Sequence, residues 1–593
     1  TRMDGTLGRA ALAAVLALLL GGCDGEAPPT AAAPTPADTL WVGGAILTMD
    51  DAAPDAEALA VRDGRIVAVG DRAAVEAHRG PETRVVELGT RALLPGFVDA
   101  HSHLSFVAIQ AVAANLLPPP DGPGDSIAAL QQTLRDYLAK SSTVAETGVV
   151  IGFDYDDSQL AEGRHPDRHD LDAVTTELPI LLIHQSGHLG VYNSLALERA
   201  GITAATPDPA GGHIHRDADG TPTGLLDENA HFAALGANLP RFTAAQMHGM
   251  LEAAQRLYAA NGFTTVQDGR TDPGGLAVLE DAAGAGVFFL DVVAYPDLEM
   301  NADSPALSGP RMARRYEGRF RLGGVKLTLD GSPQGKTAWF TEPYVEPPAG
   351  APADYAGRPL LSDEAAGAIV DRAFAEGWQL LVHANGDAAI DQMIRLVRAA
   401  AAKHPGEDRR PVLVHGQYLR RDQIPQLAEL GIFPALFPMH TFYWGDWHRT
   451  SVAGPERAAF ISPTAAVQEA GLPFTIHSDA PVTFPDSLRL LHSAVNRTTR
   501  SGFVLGPDQR IDVPTALAAM TIRAAEQHFE EDTKGSLAVG KLADLVVLSA
   551  DPRAVAPEKL LQLRVLETVK EGRSVYRAAE TGDGSRTASL SGR

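Results

Sequence analysis

Apolar residues along the middle of this chain recur in short Val-, Ile- and Leu-rich runs. Longer segments of helical period separate them. Eight runs predict strands buried on both faces, at residues 96–101, 264–268, 288–295, 324–329, 379–383, 412–415, 432–437 and 474–477. The intervening segments predict helices, for example 362–376 and 388–402. Eight strand–helix units predict an α/β fold, a TIM (β/α)8 barrel, with functional side chains at the carboxyl ends of its strands. One interval does not fit. Residues 104–261 are far too many for a single strand–helix connection, so they predict a large insertion after the first barrel strand, lying over the active site. That insertion carries strand-like runs of its own at 149–153 and 180–184 and a glycine-rich loop at Gly211-Gly212.

The two ends of the chain have a different texture. Short runs at 40–42, 45–49, 58–61, 65–69 and 84–88, with a turn at Asp63-Gly64, predict antiparallel strands, and similar runs return at 535–548 and 565–576. A small β-sandwich domain built from both chain ends, residues 39–94 and 485–580 with closing helices, is therefore expected around a central barrel of residues 95–484. The first residues suggest processing instead of fold. An apolar run at 10–20, too short to span a bilayer, leads into Leu20-Gly21-Gly22-Cys23. This resembles a bacterial lipobox, and Cys23, the only cysteine, is the expected lipidation site. Residues 1–23 are thus expected to be a lipoprotein-type signal peptide, 24–38 a Pro/Ala/Thr-rich tether and 581–593 a disordered tail. The expected location is the bacterial cell envelope, on the periplasmic side, with membrane contact only through that amino-terminal lipid anchor. A lone cysteine excludes an intramolecular disulfide. The formal net charge of −24 repels phosphate backbones and argues against a nucleic-acid partner.

The candidate chemistry stands at the predicted strand ends. His101 and His103 close the first strand two residues apart, a spacing that puts both imidazoles on one face. Lys326 lies on the fourth strand, His383 and His415 end the fifth and sixth, and Asp479 follows the eighth. Each has an ordinary structural explanation taken singly. Histidines and an aspartate from several strand ends of one α/β chain make a set suited to a divalent metal.

The order HxH, Lys, His, His, Asp resembles the amidohydrolase superfamily, metal-dependent hydrolases on a TIM barrel with a split β-sandwich. The phrases Pro95-Gly96-Phe97-Val98-Asp99-Ala100-His101-Ser102-His103, Asn193-Ser194-Leu195-Ala196-Leu197, Gly224-Leu225-Leu226-Asp227-Glu228-Asn229-Ala230, Val382-His383-Ala384-Asn385-Gly386-Asp387 and Ser478-Asp479-Ala480-Pro481-Val482 resemble its YtcJ-like branch, amidohydrolase family 3, which includes N-substituted formamide deformylases. The resemblance implies one or two divalent ions, in the simplest case zinc. His101, His103 and Asp479 would hold one, His383 and His415 a second, with Lys326 bridging as a carbamate. It implies Asp479 as the proton shuttle in hydrolysis of a carbon–nitrogen bond, a non-peptide amide or an N-formyl or N-acyl amine. Candidate substrate contacts are His188, Asn193, Glu228, Asp268, Asn385 and His477, with Glu228 also an alternative carboxylate ligand. Tyr443, Trp444 and Trp447 form either an aromatic wall or loop packing. Cyclic amides, carbamates or esters, deamination and a non-enzymatic, lipid-anchored metal-binding role stay open, as does an oligomer.

Overall fold

The computed structural model describes residues 34–579 except Glu407; the expected signal peptide with Cys23, most of the expected tether and the expected tail lie outside the described residues. Its centre is two all-parallel sheets. The first runs in the order Phe320–Leu322, Asp291–Pro296, Phe263–Thr271, Phe97–Val98, and the second in the order Val325–Thr328, Leu380–Ala384, Val412–His415, Phe433–Leu436, Thr475–Ile476. Phe320–Leu322 and Val325–Thr328 are consecutive in the chain, parted only by Gly323-Gly324. A Cβ on Gly324 would lie 2.1 Å from the Gln379 carbonyl, so a close crossing of backbones sets that break. At the other edge the loops beyond the first and last strands meet: Asp479 N–H donates to the His101 carbonyl at 3.1 Å and His103 N–H to the Ala480 carbonyl at 2.7 Å.

Helices such as Pro273–Gly284, Asp363–Ala375 and Asp387–Lys403 cross between these strands. Side-chain alternation divides the strands cleanly. Leu380, Val382 and Ala384 face the helices in the main core, while Leu381 joins Val412, Val414 and Phe433 in an inner cluster. Lys326 and His383 share the inward parity, and that alternation aims them at the site.

The insertion has different limits from those expected. Helices Leu104–Gln110 and Ala244–Ala260 bury Leu104, Val107, Leu251 and Tyr258 in the main core, so both ends of 104–261 belong to the central layer. Between them a mixed sheet runs in the order Gly212–Arg216, Pro222–Asp227, Leu189–Tyr192, Ile180–His184, Val150–Tyr155, Ala114–Asn115. It is apolar on both faces, with Ile180 and Leu182 in one cluster and Leu181 and Ile183 in the other.

A further sheet takes strands from both chain ends. Leu545–Leu548 pairs antiparallel with Ala92–Pro95, which in turn pairs parallel with Thr39–Leu47. Among the described residues no helix is long and apolar enough to cross a membrane.

Candidate metal centre

The hydrogen bonds around the buried imidazoles decide which ring nitrogens face inward. Gln267 Nε2 donates to the Ala100 carbonyl at 2.7 Å, which turns its Oε1 towards His101 Nδ1, 2.6 Å away. His101 Nδ1 therefore carries the proton and its Nε2 lone pair points into the site. That atom is 3.1 Å from Lys326 Nζ and 3.4 Å from Asp479 Oδ1. A Cβ on Gly269 would stand 2.3 Å from the His101 ring, so a glycine is needed there. His383 Nε2 donates to the Gly331 carbonyl at 3.1 Å, leaving the Nδ1 lone pair 3.0 Å from His415 Nε2.

His415 would follow Leu413 outward by strand alternation. Its φ of 74° turns the ring back inward, and Asp479, three residues past the last strand, has a φ of 55°. Asp479 Oδ1 is 3.1 Å from His103 Nε2, and Oδ2 is 3.9 Å from His415 Nε2. Ligand atoms of His101, His415 and Asp479 all lie within 4.8 Å of one another.

This donor set fits a divalent cation. Burial, with neighbouring positive groups, holds His101, His383 and His415 well below the ordinary histidine range, so they are neutral, as ligands must be. His383 Nδ1 and His415 Nε2, 3.0 Å apart beside a carboxylate, are spaced as two nitrogens on one cation would be. Burial also brings Lys326 down to about 7, near enough to neutrality to lose its proton.

The other candidate residues separate. His188 Nδ1 bonds Glu228 Oε2 at 2.8 Å, and its ring lies 5.0 Å from that of His383. Glu228 Oε1 is buried without a partner, and Gly331 has no side chain because that oxygen occupies the space. Asn385 Nδ2 donates to the Gly331 carbonyl at 2.9 Å, the same acceptor that His383 Nε2 uses, and so holds that carbonyl beside the ring. His477 is buried 5.3 Å from the His101 ring and 5.1 Å from that of His415, with both nitrogens unpartnered.

Two candidates are not brought to the cavity. Asn193 caps the helix Ser194–Arg199: its Oδ1 accepts from the N–H groups of Ala196 and Ile180, and its amide donates to Thr175 and Leu178. Asp268 accepts from Ser105 N–H and the Thr271 hydroxyl, which ties the start of the first helix to its strand. The tryptophans and Tyr443 are packing groups; Trp444 Nε1 donates to Asp156 at 2.8 Å and Tyr443 to Asp121 at 2.7 Å.

A cavity of about 500 Å³ opens from the His103, Lys326, His383, His415 and Asp479 end. Its apolar wall is Phe106, Phe153, Ile183, Phe232, Leu235 and Leu239, largely from the insertion. Arg270 lies over the Phe232 ring at 4.5 Å and pairs with Asp297 at 3.0 Å. Two supports had no sequence signal. Gln267 sits mid-strand. Asp330, one residue past the predicted 324–329 strand, accepts from the N–H groups of Trp339, Asn385 and Gly386.

Over residues 84–576 the chain matches the pattern described as "Amidohydrolase family". It is 28% identical over 553 residues to the N-substituted formamide deformylase of Arthrobacter pascens, covering 92% of this chain and 99% of that one. It is 28% identical over 549 residues to the putative amidohydrolase YtcJ of Bacillus subtilis (strain 168), covering 91% and 99%. The crystal structure of an uncharacterized metal-dependent hydrolase from Pyrococcus horikoshii ot3 shares the fold with a TM-score of 0.69, at 22% identity, over 88% of this chain and 99% of that one.

Proposed function

This chain belongs to the amidohydrolase family, and we propose that its reaction is removal of a formyl or other small acyl group from the nitrogen of an amine. As an amidohydrolase it acts on carbon–nitrogen bonds other than peptide bonds in a small molecule, with a divalent metal. The observation that carries the reading is the convergence of imidazole nitrogens of His101, His383 and His415 with Asp479 at one end of a cavity whose other wall is apolar. The similarity to a protein named N-substituted formamide deformylase favours an acylated amine as the substrate.

We read the eight parallel strand positions as one closed barrel, with the sheet from both chain ends as a separate small domain. His101, His103 and Asp479 would hold one ion, with His383 and His415 holding a second and Lys326, as its carbamate, joining them. Bound there, a divalent ion supplies Lewis acidity, acidifying a water and polarising the scissile carbonyl. Asp479 accepts the proton of the attacking water and returns it to the leaving nitrogen. Gln267 fixes the tautomer of His101, and the Gly331 carbonyl, held by Asn385, orients His383. His188 and Glu228 form the substrate-side wall beside His383, and the phenylalanines exclude water from an apolar amine substituent.

Zinc-loaded protein tested on N-formyl and N-acyl amines, cyclic amides and amino-substituted heterocycles decides the class. Release of free amine from the acyclic substrates is expected. Turnover confined to ring opening or ammonia release would contradict the reading.

The Leu20-Gly21-Gly22-Cys23 sequence supports anchoring in the cell envelope through a lipidated Cys23. Cys23→Ser is expected to leave the membrane fraction with activity intact, and an unchanged membrane fraction would oppose it.

A further inference from the structure

Phe153 and Asp154 are consecutive on the strand Val150–Tyr155, yet both line the catalytic cavity. Strand neighbours ordinarily point to opposite faces. The register gives the reason. Phe153 pairs with Ile183 and Tyr155 with the next residue, His184, so Asp154 is one residue too many on its strand. The same slip moves Tyr155 out of the apolar cluster that holds Ile151 and Phe153 and into the opposite one. Asp154 has a φ of 71°, a left-handed conformation that aspartate tolerates better than most residues. This is a β-bulge that re-aims one side chain into the site.

The carboxylate so aimed is 2% exposed. One oxygen, Oδ2, accepts a hydrogen bond from Gln110 Nε2, and among the described residues no cation pairs with it. Of the other charges on the cavity wall, Glu299 is exposed to solvent and three more are already met. Arg270 is paired with Asp297, and Asp272 caps the N–H groups of Gly274 and Gly275. Burial without a cationic neighbour pushes the Asp154 carboxyl well above the usual range, so a positive partner would be strongly favoured there. Apart from the metal end, the wall offers Asp154, Asp272, Asp297 and Glu299 against the single guanidinium of Arg270, on a chain of net charge −24. Both the site and the field around it favour cations.

We propose that Asp154 is the recognition group for a protonated amine carried by the substrate away from its scissile amide. The substrate class is then an N-formyl or N-acyl amine with an apolar body, which lies against Phe106, Phe153 and Phe232, and a second, cationic nitrogen. This rests on the acyl-amine reading of the site.

The test compares mono-formylated α,ω-diaminoalkanes with N-formylalkylamines of equal length, on the zinc-loaded enzyme. For the best chain length the diamine derivative is expected to show kcat/KM at least about tenfold above its alkyl counterpart, chiefly through KM, as befits a charge-assisted contact outside the reacting atoms. Asp154→Asn, which keeps the shape and tolerates the same φ, is expected to bring that ratio close to one while turnover of the alkyl substrate stays within about threefold of wild type. Calorimetric binding of 1,6-diaminohexane against the neutral 1,6-hexanediol reads the same contact without turnover, with the diamine tighter in wild type and the difference lost in the variant. No preference for the cationic ligand in wild type, or a preference that survives in Asp154→Asn, would overturn the proposal. Failure of both formyl series to react, with the diamine still bound preferentially, would refute the acyl-amine reading and leave Asp154 as a cation site.

Discussion

At the scale of single residues, the candidate centre is a matter of tautomers. His101 presents Nε2 because Gln267 accepts from Nδ1, and Gln267 is itself held by the Ala100 carbonyl. Asp479 is the carboxylate of the set: its two oxygens span His103 on one side and His415 on the other, at the mouth of the same cavity. That position suits a proton shuttle. Asp479→Asn keeps the volume and loses the proton-accepting charge, so kcat is expected to fall at least about a hundredfold with KM changed much less. The four histidines remain, so metal content should fall far less than rate. Steady-state kinetics with elemental analysis on the same preparation checks both, and near wild-type turnover with full metal would point to another base, with His477 the first to examine. The ligand candidates were legible in the sequence because strand ends announce themselves. Gln267 and Asp330 were not, because a polar residue within a buried strand or just past it has no periodic signature. Asn193 misled for a related reason: a helix cap and a substrate contact look alike in a motif, and only the acceptor positions tell them apart.

At the scale of elements, the apolar runs located eight of the nine strands of the central sheets, and the structure adds what runs alone cannot carry. Phe320–Leu322 was missed because Gly323-Gly324 interrupts its apolar run, and Ala92–Pro95 because it abuts the HxH strand while pairing with the terminal sheet. The inward turn of His415 and the bulge at Asp154 rest on φ values that a sequence does not display. The loop after Val325–Thr328 is the element that most depends on one buried group. Asp330 gathers three backbone N–H groups from two segments, at 3.0, 2.9 and 2.8 Å. Asp330→Ala strands all three donors and is expected to lower stability by about 2–4 kcal/mol. Asp330→Asn keeps an acceptor and should lose less. Urea midpoints of the two variants and the wild type measure this, and an alanine variant as stable as wild type would contradict the bracing role.

At the scale of the molecule, the carboxyl-terminal part of the chain is tied to the central strands by buried charges. Glu530 meets Arg321 at 3.2 Å and Lys534 at 3.1 Å, Lys534 and Lys570 both reach Asp291 at 2.7 Å, and Lys570 reaches Asp544 at 2.8 Å. Burial alone would raise the Glu530 carboxyl, but Lys534 and Arg321 outweigh it and hold it at about 2 against a usual 4.5. A depressed carboxyl contributes stability that is full above about pH 4.5 and is lost as pH falls towards 2, an amount on the order of 3 kcal/mol. Glu530→Gln should therefore be less stable than wild type at neutral pH, and the gap should close between about pH 4.5 and 2. Unfolding curves across that range check the sign, and a gap that stays constant would contradict it. A sheet drawing on both chain ends was legible from their short runs and the Asp63-Gly64 turn, whereas this ionic seam was not, since charges so far apart in sequence give no sign that they meet. The most direct measurement of all is of the metal. Protein stripped by a chelator is expected to lose hydrolysis of N-formyl amines and to regain it in proportion to zinc restored, with His101→Ala failing to retain the ion. Full turnover by a preparation free of transition metal on elemental analysis would contradict the central claim.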